Sequence, residues 1–532
     1  MKRLQFTLLF FIIGTLAGFS QVNNLVNWNV ADVSGMPDTT RPWSNDKGMR
    51  SVYYAGDLDD GKHDFLVTDY TNGGRAHVLE LTSANTLELV WSSPTRVGTS
   101  SGSTPRWVRS GDLDGDGNME IIFPLATGTV DFGIHVFEHQ GADNDYGTEP
   151  AFVLTPDYFS AQQVGLFRTN REVGEVFDFD GDGLDELIMS NRDNSVYVLG
   201  VFGEFPGFAS WQLEGGDPTQ VVANSGKFST SPWHSIPADV NGDGNFEIIN
   251  HMWNYWGFWT IKPNGADTYV YPDTSQANFY AEFFRNTPVG DAVSYMGIQK
   301  VDVDGNGKDE IAGILYGGTA ETYSVALIDL SATDDPLYAW DPSKAAVIGS
   351  NLWEVAGKTA GSFWGIGAAD INGNGREEIL LGGADDYGIV ALEYKGTGSL
   401  LDPTSYDASV IYGGPDPKMW GFVNFYDSLG VVDTTYTEAA FISKMSAGFD
   451  TDGDGRKEIV ASYQSVYDSV SWRYYNYNVD SAKFFLDSTV MVNNPQKINV
   501  RLFEATTSGI DVTELNIVTP DDYTLSQNYP NP

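Results

Sequence analysis

Short runs of isoleucine, valine, leucine and phenylalanine alternate along the chain with breaks of aspartate, asparagine and glycine. Seven breaks end the same way, with an acidic residue leading straight into apolar or β-branched positions, as in Glu120-Ile121-Ile122 and Glu458-Ile459-Val460. Runs this short, bounded by turn residues, predict strands rather than helices. Apolar residues also stand just before each break, so each break joins two strands. A second apolar run follows in every case: His77–Leu81, Ile134–Phe137, Val196–Leu199, Trp256–Ile261, Val325–Ile328, Ile389–Leu392 and Ile498–Phe503. The first aspartates of successive breaks lie 55 to 80 residues apart. Such a unit suits a four-stranded blade, and blades close around an axis in numbers from about four to eight. Seven repeats therefore predict an all-β, seven-bladed β-propeller. The period excludes nine-residue β-helix repeats, and kelch and WD-type repeats are shorter and lack an acidic break.

The breaks begin at Asp57, Asp112, Asp178, Asp239, Asp302, Asp370 and Asp450, and read DLDDGKHDFLV, DLDGDGNMEII, DFDGDGLDELI, DVNGDGNFEII, DVDGNGKDEIA, DINGNGREEIL and DTDGDGRKEIV. In all but the first, positions 1, 3 and 5 are Asp or Asn, position 6 is Gly and position 9 is Glu. These are hard oxygen donors, spaced so that alternate side chains converge on one ion while glycine permits the sharp turn. Calcium, which takes six to eight oxygens, fits better than magnesium, which keeps its waters in a tight octahedron. The predicted ligands are Asp112, Asp114, Asp116 and Glu120; Asp178, Asp180, Asp182 and Glu186; Asp239, Asn241, Asp243 and Glu247; Asp302, Asp304, Asn306 and Glu310; Asp370, Asn372, Asn374 and Glu378; and Asp450, Asp452, Asp454 and Glu458. The first loop is one residue short and offers Asp57, Asp59, Asp60 and Asp64. Up to seven Ca2+ ions are expected, with the sixth loop weakest because two of its ligands are asparagines. An EF-hand is excluded: position 12 is Phe123, Met189, Asn250, Gly313, Leu381 or Ala461 instead of glutamate.

Charge and composition narrow the partners. A formal net charge of −42 argues against nucleic acid and anionic lipid. With no cysteine in the chain, disulfides and thiolate metal sites are excluded, leaving oxygen-bound metal as the available cross-link. Lys2 and Arg3, the apolar run Phe6 to Leu16, and small residues at Gly18 and Ser20 predict a signal peptide over 1–20 and an exported product. That run is too short for a membrane span, and no later segment approaches eighteen uninterrupted apolar residues. A monomer without a transmembrane segment is expected.

The repeated loops resemble the FG-GAP and VCBS repeats of integrin α N-terminal-like propellers, over about residues 45 to 505. The resemblance implies that each acidic loop joins the first two strands of its blade and holds calcium on one face of the disc. The chain departs from the family at Asp57–Asp64, where a residue is missing. The last ten residues, Tyr523 to Pro532, read YTLSQNYPNP and resemble the opening of a type IX secretion C-terminal sorting domain of Bacteroidetes-like bacteria. The expected layout is a propeller over 21–505, a linker over 506–522 and the start of a truncated sorting domain over 523–532. The implied location is the cell surface or the medium, beyond the outer membrane.

No nucleophile elbow, phosphate loop, dinucleotide fingerprint or His-Glu-x-x-His motif appears, and the six histidines are scattered. Counting back six or seven residues from each first aspartate reaches the start of the preceding strand, at the far end from the loop. Those slots hold Arg50, Arg106, Arg171, Trp233, Tyr295, Trp364 and Lys444, with Phe363 beside Trp364. One reading is a ring of cations and aromatics around the channel mouth, suited to carboxylates or sugars. The other is packing and snorkelling at strand ends. The aromatic stretch Trp253–Trp259 alternates with strand period and reads as blade core. The favoured function is a binding or adhesion module for an extracellular glycan or protein ligand. The alternative is a lyase or hydrolase acting on acidic polysaccharide.

Overall fold

A strand sandwiched between two neighbouring blades has no face left for water, so it must be apolar on both sides. The second strands of the repeats meet that condition: Glu120–Leu125, Glu247–Met252 and Glu378–Gly383 are buried at every position. Around these strands the computed structural model forms seven antiparallel sheets in one ring, six of four strands and one of five. It describes residues 27–506 except 35–48, 70–74, 84–85, 95–104, 126–132, 156–157, 159–173, 191–195, 208, 217–231, 253–255, 286, 288–296, 316–322, 357–362, 384–387, 413–424, 428–429, 435–440, 465–468, 479–482 and 494–497. All-β, seven-bladed architecture is thus what the chain adopts.

The innermost strands are Met49–Gly56, Arg109–Gly111, Glu175–Phe177, Pro232–Ala238, Ile298–Val301, Phe363–Ala369 and Phe441–Phe449. In blades 1 to 6 the four strands follow one another from the axis outward. Blade 4 completes its outer edge with two short pieces, Tyr269–Val270 and Ala281–Glu282, which both pair with Gly257–Pro263. Blade 7 is built from both ends of the ring. Its inner three strands, Phe441–Phe449, Glu458–Gln464 and Ile498–Thr506, are joined at the edge by Asn27–Ser34, antiparallel from Asn27↔Thr506 to Ser34↔Ile498. An early strand thereby covers a late edge and closes the circle.

Seven hydrophobic clusters hold the ring, one at each blade interface. Leu58, Leu66 and Val78 of blade 1 meet Ile121, Phe123 and Phe137 of blade 2. Phe449, Val460 and Leu502 of blade 7 meet Met49, Phe65 and Val67 of blade 1. The aromatic run in blade 4 serves two interfaces, as strand alternation requires: Trp256 and Phe258 pack toward blade 5, and Trp259 packs toward blade 3. An eighth sheet, formed by Phe425–Asp427, Gly430–Thr434, Ser469–Asn478 and Lys483–Asn493, is inserted within blade 7. Its entry points precede the innermost strand and follow the second strand, whereas the acidic loops follow the innermost strand. The insert therefore belongs to the face opposite the acidic loops.

Candidate metal loops and central channel

Each acidic loop connects the first and second strands of its blade, so all seven lie on one face. The loop of blade 2 shows how they fold. Asp112 Oδ1 accepts from the Gly115 amide at 2.8 Å and Oδ2 from the Gly117 amide at 3.1 Å. Asp114 Oδ1 accepts from Asp116 N at 3.2 Å, Asp116 Oδ1 from Asn118 N at 2.7 Å, and Glu120 Oε2 from Leu113 N at 2.7 Å. This coil needs left-handed backbone at positions 4 and 6, and Gly115 and Gly117 supply it with φ of 76° and 88°. The result is that oxygens of Asp112, Asp114, Asp116 and Glu120 all lie within 4.8 Å of one another. Asp178, Asp180, Asp182 and Glu186 in blade 3 form the same group, as do Asp450, Asp452, Asp454 and Glu458 in blade 7. Three loops thus gather four carboxylates each, a set that could hold a metal ion.

The acid that ends each loop, at position 9 or at Asp64 in the short first loop, is buried in all seven. Burial pushes its carboxyl up: Asp64 to about 7, Glu186 to about 9, Glu247, Glu310 and Glu378 to about 8, and Glu458 to about 7. Glu120 is raised as well, by burial first and then by the negative charge of Glu138, which stands opposite it on the third strand. One oxygen of Asp64, Glu120 and Glu458 accepts a backbone amide, while the other, Asp64 Oδ1, Glu120 Oε1 and Glu458 Oε1, is buried with no hydrogen-bond donor. Buried carboxylate oxygens without donors are costly unless a cation meets them.

Other loops carry nitrogen close to the same carboxylates. In blade 5 the Lys308 ammonium reaches Glu310 Oε1 at 2.6 Å and Asp329 Oδ1 at 2.8 Å, beside Asp302, Asp304 and Asn306. Burial works against that charge, but the two carboxylates outweigh it and Lys308 is held above its ordinary value. In blade 4 Asn241 Nδ2 donates to Asp243 Oδ2 at 3.2 Å and Glu247 Oε1 at 3.3 Å, while Asp239 accepts the amides of Gly242 and Gly244. In blade 6 Asn372 donates to Glu378 and to Glu393 Oε1 at 3.2 Å, Asn374 donates to Glu393 at 2.8 Å, and Asp370 accepts the Gly375 amide. In the short loop of blade 1, Asp57 Oδ1 accepts three amides, from Asp59, Asp60 and Gly61. Asp59 and Asp60 gather instead with Asp143 of blade 2, and Lys62 bridges Asp60 and Glu80.

Two sets of acidic residues beside the loops escape the ligand pattern. Acids on or just past the third strand lie beside position 9: Glu80 stands opposite Asp64 and Glu138 opposite Glu120, Asp329 shares the Lys308 ammonium with Glu310, and Glu393 shares the Asn372 amide with Glu378. Blade 3 has Gly200 there, and Glu214 from the fourth strand reaches over it; a Cβ on Gly200 would sit 1.6 Å from Glu214 Oε1. At position 8, acids clasp the preceding blade. Asp185 accepts from Asp112 N, Asp309 from Asp239 N and Glu377 from Asp302 N, all at 2.9 Å. Position 3 makes the converse link, with Asp59, Asp114 and Asp180 accepting amides of Asn144, Phe205 and Asp267 in the next blade. The signal for the clasps was present, since position 8 is acidic in copies three, five and six.

The seven innermost strands surround a cavity of about 240 Å3 on the axis. Of the predicted ring, Arg106 and Lys444 line it. Arg50 and Trp233 are buried at strand starts, Trp364 is half-buried, and Arg171 and Tyr295 lie outside the described residues. Arg109, Glu175, His234 and Lys300, which the counting did not select, also line the cavity. Arg109 forks onto Glu175 at 2.6 and 3.0 Å and stacks over the Tyr53 ring at 4.8 Å. Lys444 Nζ lies 3.3 Å from His234 Nε2, and burial together with the Lys444 charge holds His234 well below its ordinary pKa.

Residues 39–123 match the family model described as FG-GAP-like repeat. The chain therefore carries an FG-GAP-like repeat on a seven-bladed β-propeller. No curated protein matches the sequence. Among solved structures it is similar to Sqt1 of Saccharomyces cerevisiae, 10% identical with a TM-score of 0.41, covering 87% of this chain and 97% of that one. It is also similar to the Cps50 (Swd1) β-propeller domain of Myceliophteria thermophila, 8% identical with a TM-score of 0.39, covering 82% of this chain and 99% of that one. Among the described residues no helix is long and apolar enough to cross a membrane.

Proposed function

We propose that this chain is an exported, calcium-dependent binding propeller, in which metal on one face stiffens the ring and the channel end on the other face receives an extracellular glycan or protein ligand. The observation that carries the reading is the set of buried carboxylate oxygens without donors in the loops, Glu120 Oε1 and Glu458 Oε1 above all. Calcium is the ion of choice because the donors are all hard oxygens on a flexible loop. Asp112, Asp114, Asp116 and Glu120 would hold it in blade 2, and the equivalent sets would do so in blades 3 and 7. The ion would supply positive charge where like charges crowd, and would replace the protons that burial otherwise forces onto position 9. Blades 1 and 5 bind it less tightly, since Lys62 and Lys308 already sit among their acids.

Elemental analysis of the purified protein, combined with calorimetric titration after chelation, tests the metal reading. Three tight calcium ions per chain are expected, and a protein that carries none and takes up none would refute it. Binding as the function is tested with a panel of immobilised acidic polysaccharides. Retention without new reducing or unsaturated ends is expected, and turnover of any of them would replace the binding reading with an enzymatic one.

A further inference from the structure

We infer that in blades 2 and 3 an additional carboxylate from outside the acidic loop, Glu138 and Glu214 respectively, completes the calcium site as a direct ligand. The inference rests on the metal reading of the loops and names ligands that the loop pattern does not contain. The first ground is Glu138 itself. It is 3% exposed and stands opposite Glu120 across the second and third strands. Its carboxyl comes within hydrogen-bond reach of the Glu120 carboxyl. Yet Glu138 Oε1, Glu138 Oε2 and Glu120 Oε1 are all buried with no hydrogen-bond donor. Three acceptors are thus crowded together with no protein N–H or O–H to meet them, an arrangement that is costly unless a positive charge lies between.

The second ground is that blade 3 reaches the same end by another route. Its third strand has Gly200 at the corresponding place, and the missing side chain leaves room for Glu214 from the fourth strand. A carboxylate oxygen of Glu214 lies within 4.8 Å of one on Asp180, which also belongs to the four-acid group of that loop, and of one on Asp267. Glu214 Oε2 is buried without a donor, while Oε1 has only the Gln212 amide, at 3.4 Å. Two different strands therefore bring an extra carboxylate up to the loop acids.

The third ground is the contrast with blades 1, 5 and 6, where the corresponding acid already has a nitrogen donor. Glu80 accepts from Lys62 at 2.8 Å and from Asn144 Nδ2 at 3.1 Å, Asp329 from Lys308 at 2.8 Å, and Glu393 from Asn374 Nδ2 at 2.8 Å. Among the described residues neither Glu138 nor Glu214 has an ammonium or guanidinium partner. Ligand number points the same way. If each loop acid lends one oxygen, the four acids and a position-7 carbonyl fall short of the six to eight oxygens that calcium takes, and the extra carboxylate makes up the number.

The test is calcium titration of the full chain, in competition with a chromophoric chelator, as wild type, Glu138→Gln, Glu138→Asp and Glu214→Gln. Groups that only hold a ligand in place are worth about 10–100-fold in metal affinity, so loss of a direct ligand should weaken one ion by at least about 10-fold and leave the others unmoved. Glu138→Gln and Glu214→Gln should each do so, at different ions. Glu138→Asp keeps the charge but draws the carboxyl back by one methylene, so it should weaken the same ion as Glu138→Gln. Should a variant not fold, the crystal structure of the calcium-loaded wild type decides: an oxygen of Glu138, and one of Glu214, should stand about 2.3–2.6 Å from an ion. Unchanged affinity in a Gln variant, or an ion seated on the loop acids alone, would overturn the inference for that blade while leaving the metal reading of the loops intact. Full affinity in Glu138→Asp beside a weakened Glu138→Gln would overturn it for blade 2, since the charge would then act through space and not as a ligand. A wild type that takes up no calcium would instead sink the metal reading, and this inference with it.

Discussion

Stripping calcium from the protein should make its stability fall as pH rises, the reverse of what paired surface carboxylates produce. In the folded, metal-free chain burial holds Asp64 and Glu458 at about 7, Glu247, Glu310 and Glu378 at about 8, and Glu186 at about 9. In the unfolded chain the same groups titrate near 4. Between those values the folded state binds more protons than the unfolded state, so the slope of unfolding free energy against pH is negative. The contribution of each group is complete below about pH 4 and is lost as pH climbs through its folded value. One pKa unit corresponds to about 1.4 kcal/mol, so a carboxyl raised by three units withdraws about 4 kcal/mol by the time it ionises. A divalent cation cancels this loss by taking the place of the proton. At a concentration of 100 times its dissociation constant it also adds about 2.7 kcal/mol per site. The assay is thermal or urea unfolding from about pH 5 to about pH 9, in excess chelator and in excess calcium. The chelated protein should melt progressively lower toward alkaline pH, and the calcium-loaded protein should show a much flatter profile. Parallel profiles in the two conditions, or a chelated protein that gains stability with pH, would refute the reasoning.

Four further outcomes follow from single features. Asp185→Ala removes the acceptor for the Asp112 amide, and a half-buried donor left unmet should cost about 1–3 kcal/mol in urea unfolding; an unchanged midpoint would show that the clasp between blades 2 and 3 carries no weight. Lys308→Met takes the ammonium away from Glu310 and Asp329 and should raise the calorimetric calcium count by one, whereas a constant count would mean that the lysine never competes with the ion. Gly200→Ala drives a methyl into Glu214 and should weaken one calcium site, visible as one ion released at lower chelator concentration with the others unmoved. Deleting Asn27–Ser34 exposes the edge of Ile498–Thr506, so the shortened chain should melt lower and associate on sizing columns. An equally stable monomer would argue against closure by that strand.

What could be read in advance was what the chain writes locally and repeats. The acidic loops, the strands on either side of them and the number of blades each depend on residues a few positions apart, and seven registered copies amplify a pattern that one copy would leave ambiguous. The residues that escaped act across distance. The link from Asp185 to Asp112 spans 73 positions, and that from Lys444 to His234 spans 210. Counting six or seven positions back located the inner strands, but their irregular lengths, from 3 residues at Arg109–Gly111 to 9 at Phe441–Phe449, spoil a fixed count. This is why Arg106 and Lys444 came to the channel while Arg50 and Trp233 went into the packing. Asn27–Ser34 carries no acidic loop and resembles none of the repeats, so nothing local announces that it completes blade 7. Its position follows only from the ring: seven blades of four strands leave one outer edge to cover, and the strand preceding the first repeat is the one available beside it. A local repeat thus determines the architecture, while the sites that distinguish this propeller arise where the ring brings unlike copies together.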